Sequence, residues 1–97
     1  MSQLSIFLLE NEQQMNLYIQ AISKVHVKNH PEVLEIQNLY QSILGKIKKG
    51  PMDVVYEFRR LDEITDHFTT PKDACQTYDA VIEFLKEAFD LHNELVG

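Results

Sequence analysis

Residues 31–50 read Pro31-Glu32-Val33-Leu34-Glu35-Ile36-Gln37-Asn38-Leu39-Tyr40-Gln41-Ser42-Ile43-Leu44-Gly45-Lys46-Ile47-Lys48-Lys49-Gly50, and this stretch decides the fold. Val33, Ile36, Tyr40, Ile43 and Ile47 recur every three or four residues. That spacing lines up one face of an α-helix, whereas a half-buried strand alternates with a period of two. The stretch also carries its own punctuation. Pro31 stands at the start, where a missing N–H costs nothing, and the acid after it suits the positive end of the helix dipole. Lys46, Lys48 and Lys49 crowd the far end, where positive charge is favoured, and Gly50-Pro51 stops the pattern.

The same marks repeat on either side. Pro51-Met52-Asp53 and Pro71-Lys72-Asp73 again set an acid just behind a proline, and Thr70-Pro71-Lys72-Asp73 resembles a capping box with Asp in place of Glu. Behind these signals run two further stripes: Val54, Phe58, Leu61, Ile64 or Thr65, and Phe68; then Cys75, Tyr78, Ile82, Leu85, Phe89, His92 and Leu95. Ahead of Pro31 the stripe is less clean. Leu4, Phe7 and Leu8 begin it, Met15, Tyr18, Ile22 and Val25 finish it, and Asn11-Glu12 interrupts it. Four helices joined by short turns must run antiparallel to their neighbours. The expectation is an all-α chain, a single helical domain over residues 1–97 arranged as an up-down-up-down four-helix bundle.

Composition limits the function. With 97 residues, 44% hydrophobic and 25% charged, the chain is one ordinary globular domain rather than a disordered segment. Its single cysteine excludes an internal disulfide and a Cys-rich zinc site. No run approaches the ~18 apolar residues of a membrane span, and Met1 is followed by a polar start without a basic-then-apolar leader. The expected location is therefore a reducing cytoplasm. The net charge of −6 is uneven: residues 1–50 carry five Lys/Arg against four Asp/Glu, residues 51–97 four against eleven. So acidic a second half makes nucleic acid and anionic membranes poor partners.

The side chains with chemical potential are few. His26 and His92 fall on apolar stripes, and a buried imidazole needs a side chain, a carbonyl, a water or a metal as partner. These two are the metal-ligand candidates. His30, before Pro31, reads as a helix-start residue, and His67 as the i,i+4 surface partner of Glu63. Glu57, Glu63, Asp66, Glu83, Glu87 and Asp90 fall mostly on polar faces, too few pointing inward for a self-contained bundle metal site. Cys75, on the last stripe, reads as a small core residue. Gly45 and Gly50 flank a lysine cluster without Walker spacing. No enzyme motif emerges, so the expectation is a non-enzyme.

Ser23-Lys24-Val25-His26 followed by Asn29-His30-Pro31-Glu32 resembles a segment of hemerythrin-like di-iron domains, specifically those of the iron–sulfur cluster repair family. Gly50-Pro51-Met52-Asp53-Val54-Val55 resembles the start of that family's third bundle helix, and Thr70-Pro71-Lys72-Asp73-Ala74-Cys75-Gln76-Thr77-Tyr78 the start of its last. The resemblance spans roughly residues 15–97 and implies a four-helix bundle. It also implies that the di-iron site is dismantled. His26 matches a family histidine, but residues 1–12 contain none. The stretch that ends the family's second helix with a His and a Glu is missing. The family's third-helix histidine aligns with Arg59, and its last His…Glu pair falls near Ala88 and His92.

Two expectations follow. In the first, the chain is a degenerate hemerythrin-like bundle without catalysis or cofactor, a protein-binding or regulatory module that dimerises or meets a protein partner through Phe7, Leu8 or Leu9. In the second, His26 and His92, with acids from a second subunit, hold one iron or zinc in a stress or repair protein.

Overall fold

A computed structural model describes residues 2–50 and 53–96. These fold into five α-helices with no strand among them: α1 Gln3–Glu10, α2 Glu12–His26, α3 Glu32–Lys49, α4 Val55–Ile64 and α5 Gln76–Val96. The all-α expectation is met, but the first predicted helix is two. Asn11 leaves helical geometry at φ −103°, ψ 4°, and its side-chain amide donates to the Phe7 carbonyl (2.8 Å), satisfying an acceptor at the end of α1. The Asn11 carbonyl then accepts the Met15 N–H, so one residue ends α1 and begins α2. At the other end of α1, the Ser2 hydroxyl caps the Ser5 N–H at 3.1 Å.

The α3 stripe is buried along its whole length, from Val33 and Ile36 through Tyr40 and Ile43 to Ile47. α3 packs on α2 and α4, while α5 packs on α2 and α1. Ser42 and Lys46 reach Glu57, and Glu35 meets Arg60, so α3 and α4 run antiparallel. His26, at the end of α2, sits beside Tyr78 at the start of α5, so those two helices are antiparallel as well. The buried side chains form one continuous cluster. Phe7 of α1 stacks on Phe84 of α5 at 4.9 Å, and Phe84 meets the edge of Tyr40.

Two stripe ends turn outward. Val25 is 72% exposed and Leu95 54%. Phe7 and Leu9, expected at an outer surface, pack against the core instead, and Leu8 is fully buried, because the break at Asn11 lets α1 lie down on α5.

The third predicted helix stops at Ile64 rather than continuing to Phe68. Asp66, His67 and Phe68 are three consecutive non-glycine residues with positive φ (49°, 61° and 59°). Each such residue costs about 1–2 kcal/mol. Hydrogen bonds hold the turn: His67 N–H to the Asp62 carbonyl, Thr69 N–H to the Thr65 carbonyl, and Phe68 N–H to Thr65 Oγ1. The turn swings Phe68 back into the core, where its ring lies 5.0 Å from Phe89. His67 therefore leaves the helix face expected for it and meets Asp62 at 3.1 Å, not Glu63.

Gly50 closes α3 with φ 122°, a conformation that favours glycine. Pro51 and Met52, expected to open the third helix, lie outside the described residues. The last helix begins five residues after Pro71. The expected capping groups are engaged elsewhere: Thr70 donates to the Asp79 side chain, and Asp73 turns to His30.

Candidate functional site

The ends of three elements converge where α2 finishes. His30 lies in the turn between α2 and α3, its N–H donating to the His26 carbonyl (2.6 Å). Pro31 stops α2 from simply continuing, since the residue before a proline avoids helical geometry. The His30 ring then faces a carboxylate on each side: Nδ1 meets Glu32 Oε2 at 3.0 Å and Nε2 meets Asp73 Oδ1 at 2.8 Å. A ring with both nitrogens on carboxylates is a double donor, the imidazolium form. The Asp73 hydrogen bond holds the His30 pKa above its usual value, with the charges of Asp73 and Glu32 acting in the same direction against partial burial. His30 in turn holds the Asp73 carboxyl below the usual carboxylate range.

Tyr78, 1% exposed, donates its hydroxyl to Glu32 Oε2 at 3.3 Å. Burial, and then the Glu32 charge, push that phenol well above its ordinary pKa, so it stays a neutral donor. The result is a clamp that ties the α2–α3 turn, the first residue of α3 and the segment leading into α5 to one another. His26 stands edge-on to Tyr78 at 5.3 Å, with Nε2 3.3 Å from the Cys75 sulfur. Cys75 is exposed, not a core residue. It sits just before α5 because that helix starts late, and its carbonyl accepts the Asp79 N–H.

His92 lies far from this cluster. It is buried, its ring 4.9 Å from that of Phe58, and its Nδ1 has no hydrogen-bond partner. Tyr78 and His92 are 14 residues apart on α5, a rise of about 21 Å. His26 beside Tyr78 and His92 therefore cannot ligate one ion within a single chain. Nor do the positions of the family resemblance assemble a centre. Arg59 is exposed, Ala88 is fully buried, and among the described residues no three His, Cys, Asp or Glu side chains are grouped to hold a metal. The residues present do not fit a di-iron group.

Glu57 was expected on a polar face, and it is 2% exposed. Lys46 Nζ and Ser42 Oγ both reach its Oε2 at 2.7 Å, while Oε1 has no partner. Burial pushes this carboxyl up, but the hydrogen bonds from Lys46 and Ser42 prevail and hold it below the usual range. The signal was present in the sequence. Glu57 falls three residues after Val54 and four before Leu61, a stripe position, and Ser42 and Lys46 are an i,i+4 pair on the facing helix. On the outer face, Arg60 makes a two-pronged contact with Glu35 that lowers the Glu35 pKa.

Beside the clamp opens a cavity of about 200 Å³. Its lining includes Glu32 and Tyr78 from the clamp and Thr65, Asp66 and Thr69 from in and around the left-handed turn.

No helix among the described residues is long and apolar enough to cross a membrane. Compared with protein families, with curated proteins and with solved structures, the chain matches none.

Proposed function

We propose that this chain is a degenerate hemerythrin-like bundle, related to iron–sulfur cluster repair proteins, that acts in the cytoplasm as a non-catalytic protein-binding or regulatory module. In this reading α2, α3, α4 and α5 are the four antiparallel members of an up-down-up-down bundle, and α1 is the detached first turns of the first. The supporting observation is the packing between these helices. Ile36, Ile43, Phe58, Leu61, Val81, Leu85 and Ala88, each 2% exposed or less, supply most of it, and the buried Glu57 and His92 belong to no group of three ligands among the described residues. A bundle that keeps metal puts histidines and carboxylates on such inward positions. The acidic second half argues for a protein partner over nucleic acid.

A surface is available for that partner. Leu17 and Val25 are 62% and 72% exposed, and Ala21, also exposed, lies midway between them. The four-residue spacing puts all three in one row on the outside of α2. We propose a second copy of the chain as the first partner to test. The alternative of iron or zinc on His26 and His92 would need two chains, one contributing each histidine.

Elemental analysis after anaerobic Fe²⁺ addition and desalting, run beside light scattering, tests both readings. The expected result is no stoichiometric metal and a dimer that Leu17→Glu/Val25→Glu converts to monomer. One or two irons per chain, lost on His26→Ala, would replace the module with a metal protein. A monomer throughout would discard the self-association.

A further inference from the structure

We propose that the cavity beside the His30 clamp is a binding site for a primary alkylammonium group, carried by a small amine or by a lysine side chain. This inference stands on the cavity alone and is independent of the descent and dimerisation proposed above.

The first argument is hydrogen-bond capacity. Every hydroxyl lining the cavity has already given away its proton: Thr65 to the Leu61 carbonyl, Thr69 to the Asp66 carbonyl and Tyr78 to Glu32. The backbone N–H groups of residues 65–69 are likewise committed within the left-handed turn. What the lining side chains still offer is lone pairs, on hydroxyl oxygens and on the carboxylates of Glu32 and Asp66. A ligand that matches must donate, and an ammonium donates three times and accepts nothing.

Charge gives the second argument. Glu32 and Asp66 are the two carboxylates that line the cavity, Tyr78 stays neutral, and no Lys or Arg lines it. The His30 imidazolium lies behind Glu32, but it is shared with Asp73, so two carboxylates divide one cation. Asp66 has no ion-pair partner among the described residues. An anion entering this space meets repulsion, and a cation fills the missing place.

Shape gives the third. The apolar part of the lining is Ile64, Pro71 and Ile82. Hydrocarbon and two carboxylates in one lining suit a short methylene stem with a charged head, the build of a lysine side chain or a butylamine. The volume admits little more.

The test is a titration of the ¹⁵N-labelled chain at pH 6 with butylamine, with 1-butanol and butyrate as isosteres that lack the cation. Butylamine should shift the Thr65, Asp66, Thr69 and Tyr78 amides saturably, and neither isostere should do so. Asp66→Asn keeps a residue that tolerates left-handed geometry and should weaken butylamine about fivefold. Glu32→Gln keeps an acceptor for Tyr78 and should weaken it at least as much, which guards against a folding defect in either variant alone. Nα-acetyl-lysine methylamide run in parallel separates the sources: tighter binding than butylamine assigns the site to a partner's lysine, weaker binding to a free amine. Equal shifts with butanol, binding of butyrate, or unchanged affinity in both variants overturns the proposal.

Discussion

Replacing Lys46 with methionine removes the cation that reaches the buried Glu57 carboxylate, and its effect can be worked out in sign and size. Glu57 is 2% exposed, with one oxygen shared by Lys46 and Ser42 and the other unpartnered. Breaking a fully buried pair costs about 3–5 kcal/mol, because a charge is left without compensation. The Lys46 side chain, however, is 45% exposed, so water screens the pair and the expected loss at pH 7 falls to about 1–2 kcal/mol. The pH dependence is more telling. In the parent the Glu57 pKa is lowered from its usual 4.5. Its contribution to stability is therefore present above pH 4.5 and lost as pH falls through the folded value. Without Lys46, burial dominates and pushes the carboxyl up, so the variant is relieved by the acid that weakens the parent. Urea unfolding followed by circular dichroism at pH 7 and pH 4 should give a deficit of about 1–2 kcal/mol that shrinks below about 0.5. Adding Glu57→Gln to Lys46→Met should recover most of the loss at pH 7. A deficit under about 0.5 kcal/mol at pH 7, or one of equal size at both pH values, would refute the reasoning.

The His30 clamp gives the opposite sign. With the His30 pKa raised above 6.5 and that of Asp73 lowered below 3.8, its stabilisation is complete between those values. It then declines as pH rises through the folded His30 value, and a thermal melt series from pH 5 to 9 should show this decline flattened in His30→Gln. His67→Gly should stabilise by about 0.5–1 kcal/mol, since glycine accepts the left-handed φ of 61° without the Cβ clash. A melting temperature unchanged or lowered would mean that the exposed His67–Asp62 contact outweighs the strain.

Helix type was legible because it rests on local spacing. Val33 to Ile47 is a pattern that solvent exclusion must bury on one face, and it is buried without exception. Asn11 was legible as an interruption but not as a corner. The decision depended on α5 offering Phe84 as a platform for Phe7, a contact 77 residues away in sequence. The left-handed turn was invisible, because Asp66, His67 and Phe68 carry none of the glycine that usually announces positive φ. Its cause is tertiary, the burial of Phe68 on Phe89.

The clamp was half legible. His30 before Pro31 was placed correctly at a helix start, but its second carboxylate comes from Asp73, 43 residues on. That same contact draws Asp73 away from capping, delays α5 and leaves Cys75 outside the core. His26 and His92 each fall on the stripe of their own helix, but both stand near a C-terminal helix end, and in antiparallel helices those ends lie at opposite poles of the bundle.

The corner at Asn11 also bears on synthesis. α1 leaves the ribosome before α5, but Phe7 finds its stacking partner, Phe84, on that later helix. At ~5–20 residues per second, roughly 4–15 s separate the emergence of Phe7 from that of Phe84. Throughout that interval α1 has only α2 and α3 to rest on, and the face that meets α5 stays open to chaperones and to neighbouring nascent chains. α1 and α5 pack on each other across the fold, so α1 completes its docking only after α5 has been made.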